Sequence, residues 1–260
     1  MFSLDAYLLA LALIATLGVL AWGVSLWRHD VSIVDSLWSL MFVLAAIAYF
    51  LGAPETGPRA YLVLILVSLW AVRLSAYITW RNWGAGEDFR YQEIRRNNEP
   101  NFEAKSLYIV FGLQGLLASI VSLPLMAAIM GQAEIGVLDL LGVSLWVVGF
   151  LFEGGGDYQL ARFRADATNK GRVLDTGFWQ YTRHPNYFGD FCIWWGFFLI
   201  ALAPGGWWSI ISPLLMSFLL LKVSGVAMLE KSIEERRPEY SDYVNSTNAF
   251  FPGPRKTSSN

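Results

Sequence analysis

Long apolar runs, interrupted by short polar clusters, set the plan of this chain. A helix that crosses a membrane needs about 20 consecutive apolar residues. Seven stretches approach that length: residues 4–27, 33–51, 60–80, 107–130, 137–152, 191–203 and 207–228. The fifth reaches span length only if residues 154–160 continue it, and the sixth only if it begins near Asn186. The pattern predicts an all-α integral membrane protein with about seven transmembrane helices.

Charge placement gives these helices an orientation. Arg81, Arg90, Arg95, Arg96 and Lys105 lie between the third and fourth runs, and Arg162, Arg164, Lys170, Arg172 and Arg183 between the fifth and sixth. Lys231, Arg236, Arg237, Arg255 and Lys256 follow the last run, while the opposite connections carry only Arg59. Lys and Arg collect on the cytoplasmic side. Seven spans then place the N-terminus outside and the C-terminus in the cytoplasm. The first run has no basic leader and no clear cleavage site, so it is expected to stay as a helix.

Composition narrows the classes. The chain is 55% hydrophobic and 15% charged, too apolar for an ordinary soluble domain. Its net charge of −2 gives no reason to expect nucleic acid. Cys192 is the only cysteine, and the two histidines, His29 and His184, lie far apart, so no metal site is expected. With no repeat or linker, residues 1–260 are expected to form a single transmembrane domain. Residues 1–130 would build the substrate-pocket half and residues 131–255 the cofactor-binding half. Residues 256–260 are expected to form a disordered tail.

Polar groups within or beside apolar runs are costly and often functional. Asp35 lies just inside the second run. Arg73 and Tyr77 share a face of the third at i,i+4 spacing, as do Glu153 and Asp157 at the end of the fifth, and Asn186 and Asp190 at the start of the sixth. Plainer readings exist. Asp35 could cap a helix, Arg73 could snorkel to the interface, and Glu153 and Asp157 could be solvated at a helix end. Yet all of these groups fall in the cytoplasmic half, which describes a site open to the cytosol.

The stretch "NKGRVLDTGFWQYTRHPNYFGD", residues 169–190, is the densest polar segment beside the apolar runs. Lys170, Arg172 and Arg183 supply positive charge, and Asn169 and Asn186 supply amides. Trp179, Tyr181 and Tyr187 supply flat faces, and Gly171, Gly177 and Gly189 allow close backbone approach. Arginine meets phosphate through a bidentate fork. The set suits a phosphorylated, aromatic cofactor better than a polybasic patch on anionic headgroups. No Rossmann or Walker A motif occurs, but a helical membrane enzyme has no Rossmann sheet to carry one.

The segment "RHPNYFGD" (183–190) resembles the C-terminal signature of membrane sterol reductases. Together with "WRNWGAGEDFRYQEIR" and "LLLKVSGVAMLEKSIEERRPEYSDYVNSTNAFFPG", it makes the chain similar to bacterial members of the steroid 5-alpha-reductase-like group of the DUF1295 type. The likeness runs from Asp35 to Pro252. It implies NADPH-dependent reduction of an activated carbon–carbon double bond in a lipophilic enone, such as a 3-oxo-4-ene steroid. It also implies a bacterial inner-membrane location, with membrane lipids and a lipophilic small molecule as partners.

Under that resemblance Asp35 would be a neutral catalytic acid assisted by Tyr77, with Trp70 and Tyr91 as alternatives for the assisting group. Cofactor binding would fall to Arg73, Glu153, Asp157, Asn169, Lys170, Arg172, Tyr181, Arg183, His184, Asn186, Tyr187, Asp190, Arg236 and Tyr243. Isoprenylcysteine and phospholipid methyltransferases resemble the same C-terminal half. They make an S-adenosylmethionine-dependent methyltransferase the alternative.

Overall fold

A computed structural model describes residues 2–223 and 240–256. Every regular element among them is helical, as the apolar pattern requires. The helices are α1 (Leu4–Arg28), α2 (Ile33–Leu51), α3 (Pro58–Asn82), α4 (Phe89–Asn97), α5 (Phe102–Ile129), α6 (Val137–Ala165), α7 (Pro185–Leu202), α8 (Trp207–Val223) and α9 (Tyr240–Ser246). Five of them, α1, α2, α3, α5 and α6, are long and apolar enough to cross a membrane.

Two boundaries resolve as the polar signals suggested. The fifth run continues through the glycines to Ala165, and the sixth begins at Pro185, whose missing N–H suits a first helical turn. The basic connection after α3 holds the short helix α4, capped by Asp88, whose side chain accepts from the Arg90 N–H at 3.0 Å. Of the seventh run, residues 224–228 lie outside the described residues. So do residues 257–260 of the expected disordered tail; the Lys256 N–H, by contrast, donates to Ser246 O at 2.9 Å.

The chain forms two compact units, Met1–Gly136 with Ala201–Ser209, and Val137–Ile200 with Ile210–Asn260. In the first, α1 turns mostly small residues inward at one-turn spacing: Ala6, Ala10, Ile14, Gly18, Ala21 and Ser25 are buried. Leu4, Leu8, Val19, Leu20 and Val24 are exposed. Large apolar groups outside and small ones inside is the arrangement of helices that pack closely while their outer faces meet lipid. Helix α2 is the centre. It packs on α1, α3 and α5, and its Met41, Phe42, Ala45, Ala46, Ala48 and Tyr49 are fully buried. The Tyr49 hydroxyl meets Ser122 Oγ at 2.7 Å, just where α5 breaks ahead of Pro124. Arg59, read from the sequence as a lone far-side charge, is buried and donates to Ala133 O and Glu134 O at 2.5 Å each.

Glycine at seven-residue spacing builds the second unit. Gly142, Gly149 and Gly156 mark one stripe on α6, and Gly189 and Gly196 mark one on α7. A Cβ at Gly149 would lie 2.5 Å from Gly189 O, and one at Gly196 would lie 2.8 Å from Gly142 O. The two backbones touch, and only glycine fits. A heptad period keeps such a stripe on one side of a helix over several turns.

Candidate functional site

The first polar cluster gathers at the start of α2. Asp35 stands in its first turn rather than at the cap, which is Ser32. One carboxylate oxygen accepts from the Tyr91 hydroxyl at 2.5 Å and the other from Arg90 Nη2 at 2.8 Å. The Asp35 side chain keeps 18% of its surface and that of Arg90 keeps 29%. Both partners come from α4, brought back over α2 by the connection that follows α3. Asp88 also holds the guanidinium, accepting from Arg90 Nε at 3.0 Å and from Nη2 at 3.2 Å.

A second pair fixes α4 itself. Arg95 donates to both oxygens of Glu87, at 3.0 and 2.8 Å, and its guanidinium carbon lies 4.5 Å from the Phe102 ring centroid. Glu87 also accepts from the Val31 N–H at 3.0 Å, tying α4 to the turn between α1 and α2.

Electrostatics follow from this packing. Burial works against charge on Arg90, but Asp88 and Asp35 outweigh it and hold the guanidinium protonated well above its ordinary range. Burial, and then the negative charge of Asp35, push the Tyr91 phenol well up, so it keeps its proton. Asp35 therefore sits among donors, the surroundings of a carboxylate. The expectation from the sequence was a neutral acid at Asp35. That expectation rested on apolar neighbours along the chain and did not include Arg90, 55 residues away.

Burial alone would raise Glu87 and Asp88. Hydrogen bonds outweigh it, chiefly from Arg95 to Glu87 and from Arg90 to Asp88, so both carboxyls sit below their usual range. A depressed folded-state pKa gives stability that is present above the unfolded value and lost as pH falls through the folded one. Docking of α4 is therefore expected to hold at neutral pH and to loosen once pH drops below the ordinary carboxylate values of 4.5 for Glu87 and 3.8 for Asp88. A spin label on Glu93→Cys, on the exposed side of α4, should gain mobility in that window and not above it. Unchanged mobility through the window would contradict the latch.

Other residues singled out in this unit lie on α3. Trp70 is fully buried, with its ring 5.6 Å from Phe42. Tyr77 is half-buried; its ring lies 6.2 Å from Trp80, and the Arg81 guanidinium carbon is 5.8 Å from its centroid. Arg73 is half-buried one turn earlier.

In the second unit the glycine seam brings part of the expected cofactor set together. Glu153 and Asp157 are buried on α6, and Asn186 Nδ2 donates to Asp157 Oδ1 at 3.3 Å. Asp190 is buried one turn further along α7, where the backbone of Glu153 closes on Gly189. The His184 and Tyr187 rings stack at 5.6 Å, 7° from parallel.

Much of the polar stretch before α7 holds the C-terminal segment. The Arg183 N–H donates to Asn248 O at 2.9 Å, and its Nη1 donates to Val244 O and Thr247 O at 3.1 and 2.6 Å. Thr182 Oγ1 donates to Phe250 O at 2.8 Å, and Gly253 N–H to Tyr181 O at 3.0 Å. The Tyr243 hydroxyl donates to Trp179 O at 2.5 Å, and burial pushes that phenol up. Arg255 pairs with Asp175 at 2.6 Å.

Arg183 and Tyr243, read from the sequence as cofactor contacts, are thus parts of a clamp. Asn169 is half-buried and its amide caps Phe163 O at 3.1 Å. Lys170, Arg172 and Tyr181 are exposed, with Gly171 between the two cations at φ 87°. Arg236 lies outside the described residues. Among the described residues no group of three or more His, Cys, Asp or Glu is placed to hold a metal ion.

Lipid-facing apolar helices that carry buried acids and arginines near their ends define a multi-pass membrane protein. The chain belongs to the family described as "Protein of unknown function (DUF1295)", whose model matches residues 21–247. It is 26% identical to an uncharacterized protein of Schizosaccharomyces pombe over 288 residues, which span 96% of this chain and 81% of the relative. No solved structure matches it.

Proposed function

We propose that this protein is an NADPH-dependent reductase of an activated carbon–carbon double bond in a lipophilic enone. The observation that carries the reading is the Tyr91 hydroxyl, buried and kept protonated, 2.5 Å from Asp35 beside Arg90 at the start of an apolar helix. Reduction of an enone places negative charge on its oxygen. A preorganised donor in a dry site is what that charge needs.

Tyr91 is the donor in this reading. Its hydrogen bond turns from Asp35 to the developing enolate oxygen, and Arg90 keeps the carboxylate company when it does. Asp35 positions the phenol and does not itself give the proton.

The cofactor residues fit a nucleotide in part. Lys170 and Arg172 are exposed on a loop that turns at Gly171, and would meet phosphates. The stacked His184 and Tyr187 rings and the Asn186 amide would meet its flat and polar edges. NADPH, when bound, supplies the hydride. We also read the chain as crossing a bacterial inner membrane seven times, N-terminus outside, with this site open to the cytoplasm. The basic residues of the α3–α5 and α6–α7 connections support that orientation.

Calorimetry on the purified protein tests the cofactor. NADPH should bind, and Arg172→Ala should weaken it by about 1.5–3 kcal/mol, the worth of a hydrogen bond to a charged group. Binding of S-adenosylmethionine with no response to NADPH would overturn the reading in favour of a methyltransferase.

A further inference from the structure

We infer that Trp38 is a second hydrogen-bond donor of the Asp35 site, and that it receives the acceptor oxygen, a ketone or other carbonyl, of a lipophilic ligand. The inference rests on the reading of this site as the place where an enone binds, and names a residue that holds it. Trp38 follows Asp35 by three residues on α2 and so shares its face. Its ring meets Phe42 edge-on, with centroids 4.9 Å apart and planes at 87°. Phe42 in turn lies against the fully buried Trp70. The wall below the Asp35 pair is therefore aromatic and apolar.

One polar atom interrupts that wall. The Trp38 indole nitrogen is shut off from solvent, and among the described residues nothing accepts from it. A buried indole N–H normally finds a partner, and hydrocarbon offers none. The hydroxyls on the adjoining faces of α2 and α3 are engaged with backbone: Ser39 Oγ donates to Ala71 O at 2.9 Å and Ser75 Oγ to Ser36 O at 2.6 Å. Asp35 is occupied by Arg90 and Tyr91. An indole only donates, so its missing partner must bring an acceptor. The apolar surroundings require the rest of that partner to be lipophilic. A carbonyl on a hydrocarbon frame meets both demands; an ammonium, which has no acceptor and keeps its charge, meets neither.

The test uses protein labelled with nitrogen-15 at the tryptophan indoles, in detergent, with Trp38→Phe to assign the signal. The phenylalanine keeps a ring against Phe42 and should leave the melting temperature unchanged. Progesterone is the ketone probe, and pregnane, the matching hydrocarbon, is the control. The Trp38 indole proton should shift downfield with progesterone and not with pregnane, and Trp38→Phe should weaken progesterone binding about tenfold. No progesterone binding, an unmoved Trp38 signal, or an equal shift with pregnane overturns the assignment. A Trp38 response in a protein that never oxidises NADPH leaves the donor in place and removes the reductase reading instead.

Discussion

Tyr91→Phe should lower turnover of a lipophilic enone by roughly a hundredfold or more, the usual loss when one donor to a developing oxyanion is removed. The ring stays, so the fold and nucleotide affinity should not change. Asp35→Asn should lose less. An amide can still accept from the Tyr91 hydroxyl, but it gives Arg90 no charge to pair with. Asp35→Leu should behave worse than Asn, because it leaves the buried Tyr91 hydroxyl without its acceptor and Arg90 with Asp88 alone. Stopped-flow turnover of a model enone, with NADPH affinity measured beside it, separates these outcomes. A Phe variant at the wild-type rate would return the role of donor to Tyr77 or another group.

Replacing Gly189 by alanine should be strongly disruptive. Its Cβ would sit 2.4 Å from the Glu153 nitrogen and 2.5 Å from Gly149 O, both backbone atoms that cannot swing aside. The helices must part, at a cost on the order of 1–3 kcal/mol or more. Their parting would also open the seam that holds Asp157 against Asn186. Gly23→Ala is the control, since a Cβ there meets nothing within 4 Å. Melting in detergent should fall sharply for the first and hold for the second. Equal melting temperatures would mean that the seam is looser than its geometry.

Helical class and most boundaries were legible because apolar length is a local signal. So were Glu153, Asp157, Asn186 and Asp190, whose i,i+4 spacing puts each pair on one face. The glycine stripe of Gly142, Gly149 and Gly156 went unread, and nothing along the chain says that its partner is the backbone of Gly189 and Gly196. Asp35 stood out as an acid in an apolar helix. Tyr91 was named only as an alternative assisting group, and Arg90 was missed because it reaches Asp35 through a folded-back connection whose arginines were read as topology charges. Likewise Arg183 was read as a phosphate ligand because charge is visible in sequence, whereas its acceptors, the carbonyls of Val244 and Thr247, belong to every residue and mark nothing.

The most direct measurement is a single turnover of progesterone with NADPH carrying deuterium at the transferable position, read by mass spectrometry of the steroid. The account predicts a saturated ketone with one deuterium on the carbon β to the carbonyl, and none formed by Tyr91→Phe on the same time scale. Unchanged progesterone, together with methyl transfer from S-adenosylmethionine to any lipid acceptor, would contradict it.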